Sequence, residues 1–372
     1  MKVLFTCGGT AGHINPAVAL ARMFQERQNG CEILFVGAKG GMEEKLVPKE
    51  GFTLQTVTIS SFRRSLSLAG LRYNLGTIKK LRTSQKEAKD ILDRFGPDLV
   101  VGTGGYASYP IVREAARRGI PTAVHESNAV PGLTTKQLAQ CVDKVMVGFE
   151  ESRSFYPHPD KVTVTGTPVR GDFFKYTRAD ARRELGLTDD RPLLLSYWGS
   201  LGADRMNQCM LDFIQAFCRE DGPFHHVHGA GRNYADMLNQ LEQRDLVLPH
   251  SLRIQEYIYN MPCVMAAADL VICRGGASTI SELTAIGKPA IIIPSPNVTN
   301  HHQEKNAEVL AQQGGAVVML EPDCTGEGLY RRTADLLADP EERRRMSKAM
   351  SRMGIPDAAE QIYQTLTKLL KK

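Results

Sequence analysis

Apolar residues fall along this chain in short continuous runs, separated by stretches in which they recur every three to four positions. The run Val3-Leu4-Phe5-Thr6 enters a glycine-rich turn, and an amphipathic stretch over about 14–28 follows it. Further runs at 32–36, 98–101, 122–125, 144–147 and 162–165 predict strands, with helical patterns between most of them. Continuous apolar strands alternating with helices predict a parallel sheet covered on both faces. The pattern restarts at 193–198, enters a second turn at Gly199-Ser200-Leu201-Gly202, and continues through runs at 224–228, 252–255, 270–273, 290–293 and 316–320.

Each half therefore reads as a doubly wound, Rossmann-like α/β domain opening with strand, glycine turn and helix. The polar, charged stretch 167–192 carries proline near both ends and marks the junction. The expected domains are 1–166 and 167–354. A last helix within 355–372 ends in lysines and is a candidate to cross back to the first domain. Two such domains are expected to face each other across a cleft at their strand C-termini, where ligands bind in folds of this kind.

Composition narrows the function. The 372 residues suit two domains, and 42% hydrophobic with 23% charged residues is the balance of a globular protein. The formal net charge of +5 favours anionic partners but is too small to argue for nucleic acid. Eight cysteines include no C-x-x-C pair, so a zinc site has no support, and the sequence opens on a strand without a signal-peptide pattern. Reduced thiols in a cytosolic setting are expected. No apolar run approaches the ~18–20 residues that span a bilayer, so membrane contact is expected to be peripheral.

Three glycine clusters follow strands and open helices. The first, Gly8-Gly9-Thr10-Ala11-Gly12-His13, lacks the G-x-G-x-x-G spacing, and the second strand ends without an acidic residue, which disfavours a dinucleotide enzyme. No P-loop pattern occurs. The second cluster is Gly102-Thr103-Gly104-Gly105-Tyr106, on the same predicted sheet edge. The third runs Arg274-Gly275-Gly276-Ala277-Ser278-Thr279-Ile280-Ser281-Glu282. Free amides at a helix start, with hydroxyls beside them, suit a diphosphate, and a carboxylate on the same helix can accept from a ribose diol. The simpler reading of each cluster is a tight turn or an N-capped helix.

With the runs His125-Glu126-Ser127-Asn128, Gly166-Thr167-Pro168-Val169-Arg170, His302-Gln303 and Asn306-Ala307, these motifs resemble the MurG family, UDP-N-acetylglucosamine transferases that make lipid II. The motifs occur in the family's order over nearly the whole chain. The resemblance implies the GT-B fold. It implies UDP-GlcNAc in the C-terminal domain and a lipid-linked diphosphate-muramyl-pentapeptide in the N-terminal one. Carried over by motif, Glu282 would hold the ribose, Ser200 and residues Ala277, Ser278, Thr279, Ile280 and Ser281 the diphosphate, and Ile258 the uracil through its backbone. Arg170 would fix the nucleotide, and Gln303 and His302 would reach GlcNAc hydroxyls. Thr10, Ala11, Gly12 and Asn128 would meet the sugar from the other side, while Gly9, Thr103, Gly104, Gly105 and Tyr106 would take the acceptor diphosphate. Four positions depart from the family pattern: Ala11, which needs a negative φ, Ser127, Thr167, and Trp198, which reads as core.

The implied reaction is an inverting, in-line displacement at the donor sugar by the muramyl C4 hydroxyl. It needs a base on the acceptor side, and His13 is the first candidate because imidazole titrates near neutral pH. Glu126, in the His125-Glu126 pair with Asn128 beside it, is the second. His13 packing or capping its helix is the simpler alternative. No D-x-D sequence occurs, so no metal and no cofactor is expected. Leu68, Leu71, Leu75 and Ile78 recur at helical spacing beside Lys79, Lys80 and Arg82, as expected of a helix on an anionic membrane surface, or of one packed on the sheet. The expected location is the cytoplasmic side of the cell membrane, with other cell-wall synthesis proteins as further partners. The rival readings are a UDP-GlcNAc 2-epimerase and a non-catalytic nucleotide-sugar-binding protein.

Overall fold

The computed structural model describes residues 1–60, 68–199 and 203–371, and of residues 68–76, 78, 79 and 299 the backbone alone. The chain forms two compact units, Met1–Val169 together with Ile355–Lys372, and Arg170–Gly354.

The first unit holds seven parallel strands: β1 (Lys2–Thr6), β2 (Glu32–Ala38), β3 (Thr53–Val57), β4 (Leu99–Gly102), β5 (Thr122–Glu126), β6 (Lys144–Val147) and β7 (Val162–Val164). Their order is β3-β2-β1-β4-β5-β6-β7. The order reverses between β1 and β4, where Thr6 lies beside Gly102. The crevice of a doubly wound sheet opens at such a switch point. β3 is absent from the sequence-based reading. It pairs with β2 alone, and its residues Thr53-Leu54-Gln55-Thr56-Val57 alternate rather than form an apolar run, as an edge strand permits.

One face of this sheet buries Phe5, Phe24 and Phe35, with Phe5 6.1 Å from Phe24 and 5.6 Å from Phe35. The other buries Leu4, Val36, Val100 and Val124. The helix Ala358–Leu369 completes the first face through Ile362, Tyr363 and Leu366. The Tyr363 ring sits 4.9 Å from Phe24, and its hydroxyl accepts from Gln28 Nε2 at 2.6 Å. Gly166 (φ +74°) admits this returning segment, because a Cβ there would lie 2.8 Å from Ile355 and 3.1 Å from Ala358.

The second unit holds β8 (Leu193–Tyr197), β9 (His225–Gly229), β10 (Leu252–Gln255), β11 (Leu270–Cys273), β12 (Ala290–Ile292) and β13 (Ala316–Val318), in the order β10-β9-β8-β11-β12-β13. Its switch point lies between β8 and β11, next to the third glycine cluster. Trp198 is buried in the core of this unit, its indole 6.1 Å from His228 and under the Arg274 guanidinium at 5.9 Å.

Within the second sheet, the Ser196 hydroxyl lies 2.7 Å from both His226 Nε2 and His228 Nδ1. Both imidazoles are fully buried, and burial pushes His226 well below its usual range and His228 down to about 3. They are neutral in the fold and take up protons only on unfolding. Their stability contribution is therefore fully present above the ordinary histidine value and is lost progressively as pH falls below it. The urea-unfolding free energy is expected to drop between pH 7 and pH 5 by up to about 1.4 kcal/mol per pH unit for each imidazole. A profile that is flat there, or unaltered in His226→Phe, would contradict this.

Candidate active site

β1 delivers the chain into the loop Gly8-Gly9-Thr10, and the helix Ala11–Arg27 begins at once. Ala11 is its first residue and has no positive φ, so the methyl is accommodated. Pro16 has no N–H to offer the carbonyl of Gly12, four residues back, which leaves that carbonyl available beside the loop. His13 Nδ1 lies 2.8 Å from the Gly8 carbonyl and 3.4 Å from the Thr10 hydroxyl. A carbonyl can only accept, so Nδ1 carries the hydrogen and Nε2 presents its lone pair.

The loop after β4 packs directly against this one. Gly104 (φ +110°) leaves no room for a side chain, since a Cβ would lie 2.6 Å from the His13 ring. A Cβ on Gly105 (φ +83°) would run into the Gly8 carbonyl. The Thr103 hydroxyl is spent on the His13 carbonyl at 2.7 Å, and the Gly9 N–H points to Glu43 Oε2 at 3.4 Å. These two groups hold the loops together rather than stand open to an acceptor diphosphate, which differs from the sequence-based expectation. The amides of Gly104 and Gly105, ahead of the helix Ser108–Arg117, are the candidates that remain for an anion.

His125 and Glu126 also differ from a proton-transfer role. His125 is buried, its Nε2 2.8 Å from the Gly166 carbonyl, and burial lowers its pKa. Glu126 Oε1 accepts from the amide and the side-chain nitrogen of Asn128 at 3.1 and 2.9 Å, and Oε2 from the Gly132 amide at 3.0 Å. A buried carboxylate with three donors organises its loop and orients Asn128. Ser127 is buried 3.4 Å from His125 Nδ1, and the buried Thr167 hydroxyl has no partner among the described residues.

In the second unit, β11 leads through Arg274-Gly275-Gly276 into the helix Ala277–Ala285. Its first intrahelical bond runs from Ile280 N to Gly276 O, so the amides of Ala277, Ser278 and Thr279 are the open first-turn donors. The Ser278 hydroxyl is buried without a partner among the described residues, whereas the Ser281 hydroxyl turns back onto the Ala277 carbonyl at 2.9 Å. Glu282 is partly buried, and no hydrogen bond from another described residue reaches its carboxylate. Burial pushes it up to about 7; Arg170 opposes that shift and Asp172 adds to it. Arg170 itself is exposed, 3.6 Å from Asp172 and above the Phe173 ring.

Gly275 allows the backbone of Gln303 to approach, and the buried Asn306 side chain donates to the Gly275 carbonyl at 3.1 Å. Gln303 Oε1 accepts from the Ser295 amide at 2.9 Å, which leaves its NH₂ group to donate, and His302 stands beside it at the start of the helix His302–Gln312. Just ahead, Asn300 and His301 hold φ of +59° and +50°, a left-handed turn that aims this helix start. Ile258 is buried against Gly229, and its main-chain N–H and C=O have no partner among the described residues. Arg274 is held by the Ile293 carbonyl at 3.1 Å and by Glu321 at 2.6 Å, a pairing that nothing in the sequence around Glu321 signals. Ser200 lies outside the described residues. The helix Leu68–Phe95 carries Leu68, Leu71, Leu75, Ile78 and Lys79, whose side chains also lie outside them, while Lys80 and Arg82 are exposed.

Residues 3–147 match the N-terminal domain of glycosyltransferase family 28, and residues 197–362 match its C-terminal domain. The chain belongs to glycosyltransferase family 28. A curated family 28 relative from Thermoanaerobacter sp. is 43% identical over 367 residues, covering 98% of this chain and 99% of its own. It is named as a UDP-N-acetylglucosamine–N-acetylmuramyl-(pentapeptide) pyrophosphoryl-undecaprenol N-acetylglucosamine transferase. MurG of Acinetobacter baumannii shares the fold with TM-score 0.77 at 24% identity, covering 99% of both chains. UDP-GlcNAc 2-epimerase of Neisseria meningitidis shares it with TM-score 0.64 at 16% identity, covering 99% of this chain and all of its own. The two rival activities thus share one architecture, and sequence identity over the whole chain separates them.

Proposed function

We propose that this chain transfers GlcNAc from UDP-GlcNAc to the C4 hydroxyl of MurNAc in undecaprenyl-diphosphate-MurNAc-pentapeptide, giving lipid II and UDP. The geometric observation that carries the reading is Glu282, a carboxylate without a donor among the described residues, a turn and a half into a helix whose first amides are open. A vicinal ribose diol supplies two donors to such a carboxylate, and the diphosphate lies naturally against the helix start. The N–H and C=O of Ile258, unpartnered among the described residues, match the alternating acceptors and donor of a uracil edge.

In this mechanism His13 Nε2 takes the proton of the attacking hydroxyl, oriented by Gly8 through Nδ1. The Ala277, Ser278 and Thr279 amides and the Ser278 hydroxyl meet the charge developing on departing UDP. Asn128, held by Glu126, and the Gln303 NH₂ group orient the sugars. No metal takes part in this scheme, so turnover in excess EDTA is expected to match turnover without it; loss of activity that added Mg²⁺ restores would refute that.

The test uses UDP-GlcNAc and a short-chain lipid-diphosphate-muramyl-pentapeptide, with UDP release and product mass as readouts. A product heavier by one N-acetylhexosamine, with UDP released only when acceptor is present, supports the reading. Acceptor-independent UDP release would favour an epimerase. We also place the chain at the cytoplasmic face of an anionic membrane through the basic and apolar stretch 65–82. Leu75→Ser/Ile78→Ser is expected to weaken binding to anionic vesicles severalfold with an unchanged melting temperature; a lowered melting temperature would assign those residues to the core.

A further inference from the structure

Glu43 is fully buried at the start of the short helix Glu43–Lys49. Its surroundings are built to receive it: a Cβ on Gly8 would lie 2.8 Å from its carboxylate, one on Gly41 would lie 2.5 Å away, and one on Gly37 would overlap its side chain. The other buried carboxylates have stronger support. Glu114 pairs with Arg117 and Arg118, Glu321 with Arg274, and Glu126 accepts three hydrogen bonds. Glu43 has two amide donors, Ala38 at 2.7 Å and Gly9 at 3.4 Å, and no ion-pair partner among the described residues. Burying a carboxylate with so little support is costly.

The Gly9 N–H that points to Glu43 and the Gly8 carbonyl that receives His13 Nδ1 belong to one peptide unit. No cis peptide occurs among the described residues, so the two groups point in opposite directions. The order is carboxylate, N–H, C=O, Nδ1–H, then the free Nε2. We propose that Glu43 is a positioning residue that acts on His13 through the Gly8–Gly9 peptide. The inference rests on the reading of His13 as the base. A carboxylate at the N–H end polarises the peptide, strengthens its carbonyl as an acceptor, and stabilises the imidazolium formed when Nε2 takes a proton. The 3.4 Å separation is long, which fits an unliganded site whose hydrogen bonds tighten with substrate. The titratable groups facing this loop are Cys7, whose thiol burial pushes up, His125, kept neutral by burial, Tyr106 near Gly9, and Glu43 itself.

The test compares Glu43→Gln and Glu43→Met with the parent full-length chain, by steady-state kinetics and by ¹⁵N spectra of the His13 ring. Glu43→Gln removes the charge while its amide oxygen can still accept from Ala38, and Glu43→Met removes both the charge and the acceptor. In the parent, the ring is expected as the Nδ1–H tautomer. In both variants it becomes a mixture, kcat falls about tenfold, and KM for UDP-GlcNAc stays within about twofold. The acid limb of the pH–kcat profile moves to lower pH, because the charge that stabilised the imidazolium is gone. An Nε2–H tautomer in the parent, or an unshifted tautomer and acid limb in a folded variant, would overturn the proposal. Failure of the base reading shows separately, as retained kcat in His13→Ala, because the tautomer is read without turnover.

Discussion

His13→Ala is expected to lower kcat by about a hundredfold or more, with affinity for UDP-GlcNAc within about twofold of the parent. His13 is clamped at Nδ1 by Gly8, and its main-chain carbonyl is clamped by Thr103, so the ring has one free nitrogen in a fixed place. Its hydrogen-bond partners Gly8, Thr10 and Thr103 all lie in the loops of its own unit, so the substitution is expected to act on turnover rather than on donor affinity. Stopped-assay kcat and calorimetric affinity, measured on the same preparation, decide the matter. A kcat within a few-fold of the parent would return His13 to packing its helix.

Glu282→Gln is expected to do the reverse. Affinity for UDP-GlcNAc should fall by roughly ten- to a hundredfold, the loss of one or two charge-assisted hydrogen bonds, while kcat at saturating donor changes little. The same carboxylate predicts a proton effect. In the free protein, burial pushes it up to about 7 against the pull of Arg170, so it is largely protonated at pH 6. A diol is bound best by the ionised form. Donor binding at pH 6 should therefore release a proton, and affinity should fall as pH drops below 7. Titration calorimetry in buffers of different ionisation heat measures that proton directly. Equal heats in all buffers, or an unaltered dissociation constant in Glu282→Gln, would remove Glu282 from the ribose.

The doubly wound units were legible because their inner strands are continuous apolar runs, such as 3–6 and 270–273, and no alternative to a two-faced sheet fits them. β3 escaped because an edge strand needs only one covered face. The three glycine clusters announced the strand-to-helix turns at both switch points, but their internal wiring was hidden. Thr103 and Ser281 looked like free hydroxyls until the structure turned them onto carbonyls. Glu126 looked like a base until three donors surrounded it. Glu43 gave no signal at all, since its role depends on three glycines brought together from separate turns.

The first unit draws its core from residues more than three hundred positions apart. Phe24 and Gln28 await Tyr363, and the cluster around Phe5 is closed by Ile362 and Leu366. On the ribosome the sheet β1 to β7 is complete long before its covering helix exists, and all of Arg170–Gly354 is made in between. At roughly 5–20 residues per second, that interval lasts on the order of ten to forty seconds. Through it, the apolar face of the Ala11–Arg27 helix that Tyr363 later covers stands exposed. The yield of the protein is thus expected to be set by that wait as much as by the stability of the finished fold.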